Sequence, residues 1–213
     1  MTEAVYTIGH STHSVDRFLE LLKVGSIEVV GDVRSRPYSR QNPQFNRESL
    51  KQVLADWGIK YVFLGEELGA RSSDPNCYIE GQVQYDLLAR TDLFRKGITR
   101  VKEGARSYRV ALMCAEKEPL DCHRTILVAR ELIAQGLNVK HILADGRIED
   151  QAHALDRLIE ALRIPQNDMF RSRSAIEFDA YALRGKEIAY RGEPQELSLQ
   201  CSPSTPRAQG AGR

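Results

Sequence analysis

RVALMCAEKEPLDCHRTILVARELIAQGLNVKHIL, Arg109 to Leu143, decides how this chain folds. RVALM (109–113) is a short apolar run of the length that suits a buried strand. A polar stretch follows, in which Asp121 is placed to cap a helix running from Cys122 to about Gln135, with Gly136 as its stop. VKHIL (139–143) is a second apolar run. Strand, helix, strand in that order describes a crossover unit, and crossover units build parallel sheets.

The same alternation extends toward the N-terminus. Val5–Ile8, Glu28–Val33 and Lys60–Leu64 read as three more strands. Between the first two, Ser14 caps a helix whose Val15, Phe18, Leu19 and Leu22 share one face, and Gly25 ends it. Between the next two, Asn46 caps a helix carrying Leu50, Val53, Leu54 and Trp57, stopped by Gly58. Residues 65–81 read as a long polar loop, followed by two short helices over 83–89 and 93–101. A helix over about 150–162 closes the main pattern. The expected fold is α/β: a three-layer sandwich with a mostly parallel sheet of about five strands and helices on both faces.

With 213 residues this is one domain, expected over residues 1–192. Residues 165–192 form a C-terminal extension packing on it, with a helix over 175–183 and a short edge segment over 187–190. From residue 193 to 213 Ser, Pro, Gln and Gly dominate, and a disordered tail is expected, with Cys201 inside it.

Composition narrows the function classes. The net charge is +1, which exerts no global pull toward nucleic acid or membrane. No apolar run reaches the length of a membrane span, and MTEAVYTIGHS lacks the features of a signal peptide. The four cysteines, 77, 114, 122 and 201, form no CxxC pair and no disulfide framework. Reduced thiols and a cytoplasmic setting are therefore expected. The 22 arginines outnumber the 8 lysines. Arginine's planar fork suits phosphate and carboxylate, although genomic base composition accounts for the same excess.

In open parallel sheets ligands sit beyond the carboxyl ends of the strands. Here those ends carry Gly9-His10-Ser11, Asp32-Val33-Arg34-Ser35-Arg36, Gly65-Glu66-Glu67, Cys114-Ala115-Glu116 and Asp145-Gly146-Arg147. Cys122, as first residue of its helix, would meet free backbone N–H groups and the positive end of the helix dipole. Both lower a thiol's pKa, and His123 and Arg124 act in the same direction. The same geometry binds an anion without thiol chemistry, and Arg34, Arg36, Tyr38, Arg40, Arg71, His123 and Arg124 are the residues placed to hold one. Asp32, His10, Glu116, Cys114 and Cys122 are the candidates for catalysis.

Each has a plainer reading. Cys114 after an apolar strand suits a small core residue. His10 suits a turn, and Asp32 a brace for Arg34. Spacing removes several chemistries. A phosphatase loop needs Arg six positions after its Cys, and positions 120 and 128 are Leu and Val. There is no GxGxxG and no P-loop, so no cofactor is expected. Cys-x7-Cys-His is an unusual metal spacing, and adjacent helical residues diverge by about 100°, so no metal is expected.

Taken together, YTIGHS (6–11), DVRSRPYS (32–39), LGEELGAR (64–71) and CAE…CHR (114–124) resemble the DUF488 family of uncharacterised bacterial and archaeal proteins. Ile188-Ala-Tyr190 resembles its closing segment, so the likeness covers about residues 4–191. Ala70 departs from the second glycine more common there. The resemblance implies an α/β sandwich and marks the candidate residues above, except Arg40, as motif positions; it implies no activity. The sequence points first to an enzyme for a phosphate-bearing or other anionic substrate, from the nucleotide or nucleic-acid classes. The alternatives are a non-catalytic nucleic-acid or nucleotide-binding module and a thiol redox sensor using Cys114 and Cys122.

Overall fold

The structure is a computed structural model, and it describes residues 4–166 and 171–194. Its centre is a six-stranded sheet: β1 (Ala4–Gly9), β2 (Val29–Asp32), β3 (Lys60–Phe63), β6 (Val110–Cys114), β7 (Asn138–Ile142) and β8 (Ile148–Asp150). The strand order is β3-β2-β6-β1-β7-β8. The first five are mutually parallel and β8 runs antiparallel to β7. A separate hairpin pairs β4 (Tyr78–Ile79) with β5 (Gln82–Val83). The expected parallel α/β sandwich is present.

The helices are α1 (Val15–Val24), α2 (Arg47–Asp56), α3 (Gly65–Leu68), α4 (Tyr85–Ala89), α5 (Asp92–Ala105), α6 (Arg130–Ala134), α7 (Gln151–Ala161) and α8 (Arg173–Ile188). A π-helical stretch, Arg124–Ala129, leads into α6. Ser14 caps α1 as expected, its hydroxyl accepting from the Arg17 N–H. Asn46 stands at the N-cap of α2 but turns its side chain backward, accepting from the Ser39 N–H.

Successive strand residues face opposite sides of the sheet, and the core divides accordingly. Tyr6, Ile8, Val30, Ala111 and Met113 pack with Phe18 and Leu22 of α1 and Leu50 and Leu54 of α2. Val5, Val29, Val110, Leu112 and Cys114 pack on the other face with Phe94 and Ile98 of α5, Leu158 of α7 and Ile176 of α8. Burying each large apolar side chain stabilises the fold by roughly 1.5–3 kcal/mol. One polar thread crosses this second layer. Thr7 Oγ1 lies 2.7 Å from His141 Nδ1, His141 Nε2 lies 2.6 Å from Gln151 Oε1, and the Gln151 amide donates to the Tyr181 hydroxyl at 2.9 Å.

Several expectations change. β8 is a strand that the sequence pattern does not announce, because GRIED shows no apolar alternation; Gly146, at φ +94°, turns the chain back onto β7. The polar stretch 65–81 contains α3 and the start of the hairpin, whose turn residues Glu80 and Gly81 have φ +50° and +68°. The helix expected from residue 83 begins at Tyr85, because Val83 is in β5. Of the edge segment expected over 187–190, Glu187 and Ile188 are the end of α8. The chain pairs only beyond it, where the Val83 N–H donates to the Tyr190 carbonyl. Of the tail expected over residues 193–213, the part beyond residue 194, including Cys201, lies outside the described residues. Among the described residues no helix is long and apolar enough to cross a membrane.

Candidate functional site

The chain builds β1, β2 and β3 in one direction across the sheet, then inserts β6 between β2 and β1 and adds β7 on the far side of β1. The order therefore reverses at β6 and β1, and their carboxyl ends form the crevice where ligands sit in such sheets. In register, Gly9 lies beside Cys114 and Asp32 beside Met113. The pairing continues past the strands: the N–H groups of His10 and Ser11 donate to the carbonyls of Cys114 and Ala115, both at 2.9 Å. At Gly9 the next turn of chain comes so close that a Cβ would lie 1.9 Å from the Glu116 carbonyl oxygen. From the other side the buried Arg124 guanidinium donates to the carbonyls of Glu116 at 2.7 Å and Lys117 at 3.3 Å. The loop after β6 is thus clamped between a glycine and an arginine.

Two polar groups share this rim. In the first, the fully buried Asp32 carboxylate accepts from the Arg34 backbone N–H and, at 2.9 and 2.7 Å, from its guanidinium. It also accepts the Tyr61 hydroxyl at 2.7 Å. Arg34 donates further to the Phe45 carbonyl and stands 3.1 Å from His10 Nε2. Since His10 Nδ1 faces the Ser11 carbonyl at 2.8 Å, Nδ1 carries the proton and Nε2 accepts from Arg34. Burial, and then the Arg34 charge, push His10 down to about 4, so it is neutral at physiological pH. Its ring stacks on Phe45 at 4.4 Å. Every partner here is satisfied.

The second group is Cys114, Cys122 and His123, all buried. Both sulfurs and an imidazole nitrogen lie within 4.8 Å of one another. His123 Nδ1 is 3.7 Å from Cys114 Sγ and 3.8 Å from Cys122 Sγ. His123 Nε2 is 3.1 Å from the Val33 carbonyl, to which it must donate. That bond fixes the ring and leaves Nδ1 facing the two sulfurs.

Cys122 departs from its expected place. Its backbone is extended, at φ −134° and ψ 140°, and its carbonyl accepts from the Thr125 and Ile126 N–H groups. It is the N-cap, not the first helical residue, and the Arg124 N–H points at its sulfur at 3.5 Å. Asp121 does not cap. The 100° divergence between Cys122 and His123 consequently does not apply, and both side chains turn to one point. The helix then begins with its π stretch, a feature that recurs at functional sites.

The thiols are unequal. Interaction with Cys122, then burial, pushes Cys114 up. Burial alone would raise Cys122, but the neighbouring Cys114, the Arg124 charge and His123 outweigh it and hold Cys122 down. Burial opposes protonation of His123, and contact with Cys122 outweighs it and raises the ring. Glu116 lies at the surface with one carboxylate oxygen turned back to 2.9 Å from Cys122 Sγ. Desolvation, then the Cys122 charge, push that carboxyl up.

His10, Asp32, Arg34, Cys114, Glu116, Cys122, His123 and Arg124 thus converge on one rim. Arg36, Tyr38 and Arg40 lie exposed on the loop after β2. Arg71 stacks over Tyr190 at 4.6 Å, and its backbone N–H donates to Ser35 Oγ in the loop after β2. Sequence reasoning missed Tyr61, Phe45 and the Val33 carbonyl. Tyr61 belongs to a recognised strand, but nothing in KYVF signals that its hydroxyl reaches Asp32.

The family model described as Domain of unknown function DUF488 matches residues 14–130. No curated protein and no solved structure matches the chain.

Proposed function

The chain belongs to the DUF488 family, and we propose that it is a thiol redox protein in which Cys122 reacts and Cys114 resolves. The observation that carries this is the meeting of two unequal thiols and an imidazole within 4.8 Å of one another. Both sulfurs are almost wholly covered, at 3% and 1% exposure, which favours a small electrophile, and we take a hydroperoxide as the class. The Cys122 sulfur gives its proton to the Glu116 carboxylate that accepts it and attacks the distal oxygen, an S–O bond forms as O–O breaks, and the leaving alkoxide takes that proton from Glu116. The Cys114 sulfur then displaces water, its own proton leaving with the hydroxyl, and a disulfide forms. An external dithiol restores both thiols. Free buried thiols at 77, 114 and 122 are in keeping with a reducing, cytoplasmic setting.

An enzyme for a phosphate-bearing or other anionic substrate is the second reading, supported by the exposed Arg36, Tyr38 and Arg40 on the same rim. It has less support, because Arg34 and Arg124 direct donors to Asp32 and to loop carbonyls and the Glu116 carboxylate lies beside Cys122.

The test is exposure of the reduced, folded chain to a stoichiometric alkyl hydroperoxide, followed by peptide mapping. The expected product is a Cys114–Cys122 disulfide reversed by dithiol. Cys114→Ser should stop at a sulfenic acid on Cys122, and Cys122→Ser should not consume peroxide at this site. Oxidation confined to Cys77 or Cys201, or none before unfolding, would overturn the proposal.

A further inference from the structure

We infer that Cys114, Cys122 and His123 form a binding site for a thiophilic divalent cation of the zinc class, with Glu116 at its fourth position. This rests on the same cluster as the thiol reading, but on its geometry rather than its reactivity.

In a tetrahedral zinc site with Zn–S near 2.3 Å and Zn–N near 2.0–2.1 Å, the sulfur-to-nitrogen edge is about 3.6 Å. The two observed edges are 3.7 and 3.8 Å. The two sulfurs lie within 4.8 Å of one another, where such a site needs about 3.8 Å, so the three donors bracket a point that a modest closure of the sulfur pair would fit to an ion. His123 donates its remote N–H to the Val33 carbonyl, the arrangement by which metal-bound histidines are oriented. The Arg124 N–H directed at Cys122 Sγ adds a second outer contact.

The residues come from two rigid places. Cys114 ends a central strand, and Cys122 and His123 begin a buried helix. The seven residues between them form a loop held by Gly9 and Arg124. That is why the spacing resembles no familiar ligand motif: the geometry comes from the sheet and the helix start, not from a knuckle. Charge is also suited. Two thiolates and a carboxylate around a divalent ion leave one negative charge, and the buried Arg124 guanidinium stands beside it. The fourth position faces solvent through Glu116, which is exposed.

The site and the redox pair exclude one another, because a Cys114–Cys122 disulfide removes both sulfur ligands. A bound ion should therefore protect the thiols, and hydroperoxide should release the ion.

The experiment is titration of the reduced, metal-free full chain with zinc and with cobalt(II), using a chromophoric chelator as competitor. One ion per chain is expected. Cobalt should give thiolate charge-transfer absorption and the intense visible bands of a tetrahedral site. Cys114→Ser, Cys122→Ser and His123→Ala should each weaken zinc by at least about a hundredfold, Glu116→Gln by roughly tenfold, and Cys77→Ser not at all. The cobalt spectrum of the unaltered chain decides the matter even where a variant folds poorly. No binding, an octahedral spectrum without thiolate absorption, or affinity unchanged in the folded ligand variants would overturn the site. Zinc binding without a peroxide-driven disulfide would overturn only the thiol reading. A disulfide without zinc binding would overturn only the metal site.

Discussion

Asp32–Arg34 and Cys114–Cys122–His123 occupy the same rim, come from neighbouring strands and are comparably buried, yet they are opposite kinds of polar cluster. Around Asp32 both carboxylate oxygens are filled by Arg34 and Tyr61. The Arg34 fork is occupied by Asp32, Phe45 and His10. Around Cys122 the partners are soft and exchangeable: two sulfurs and a ring nitrogen lie within 4.8 Å of one another, and the Glu116 carboxylate accepts from Cys122 Sγ. A saturated cluster holds the chain in place; an unsaturated one is suited to chemistry or to an ion. Burial and residue type do not separate these cases, whereas a count of filled donors and acceptors does.

The sharpest way to break the comparison is Asp32→Ala. It leaves the buried Arg34 charge without its carboxylate, at a cost of about 3–5 kcal/mol. Urea unfolding should show a lower midpoint with an unchanged slope. Replacing both partners with Asp32→Leu and Arg34→Met should recover much of the loss, since no uncompensated charge remains. If Asp32→Ala were nearly as stable as the parent, the saturated cluster would not be the brace inferred here.

A pH experiment probes a second saturated network. His141 is fully buried between Thr7 and Gln151, and burial, then the Arg124 charge, push it down from its ordinary 6.5 to about 4. Between those values the unfolded chain binds a proton that the folded chain refuses. The contribution of a neutral His141 is therefore complete above about pH 6.5 and falls as pH drops toward 4, by about 1.4 kcal/mol per unit and on the order of 3 kcal/mol in all. The measurement is the stability difference between the parent chain and His141→Gln across that range. A parent that loses no stability relative to the variant on acidification would contradict the assignment.

How much of this was legible beforehand follows from what each feature depends on. Five strands and their crossover helices show in RVALM, VKHIL and their counterparts because apolar period and capping are local. β8 was hidden because IED on a sheet edge need not be apolar, and its pairing depends on the turn at Gly146. His10, Asp32, Arg34, Cys114, Cys122 and Arg124 lie together because the strand exits and the helix start after β6 meet at one end of a parallel sheet. What each does was not legible. The sequence suggests Arg34 and Arg124 as anion ligands, yet both donate to partners inside the protein. The metal geometry was obscured by a single dihedral assignment: a helical Cys122 points away from His123, and an extended one does not. That choice turns on Pro119–Asp121 forming a 3₁₀ turn ahead of the helix, a detail that periodicity does not report.

The smallest expected change in stability is also the one that tests the comparison most directly. Cys122→Ser keeps a side chain that accepts the Arg124 N–H, and serine is a preferred N-cap. The helix start should therefore survive, and the cost in unfolding free energy should be about 1 kcal/mol or less, a fraction of that for Asp32→Ala. The same substitution removes the reactive sulfur and one ion ligand, so peroxide-driven disulfide formation should vanish and zinc affinity should fall. A large functional loss with a small structural one is what an unsaturated cluster predicts. If Cys122→Ser instead unfolded the protein as readily as Asp32→Ala, the buried thiol would be structural, and the two clusters would differ only in chemistry, not in role.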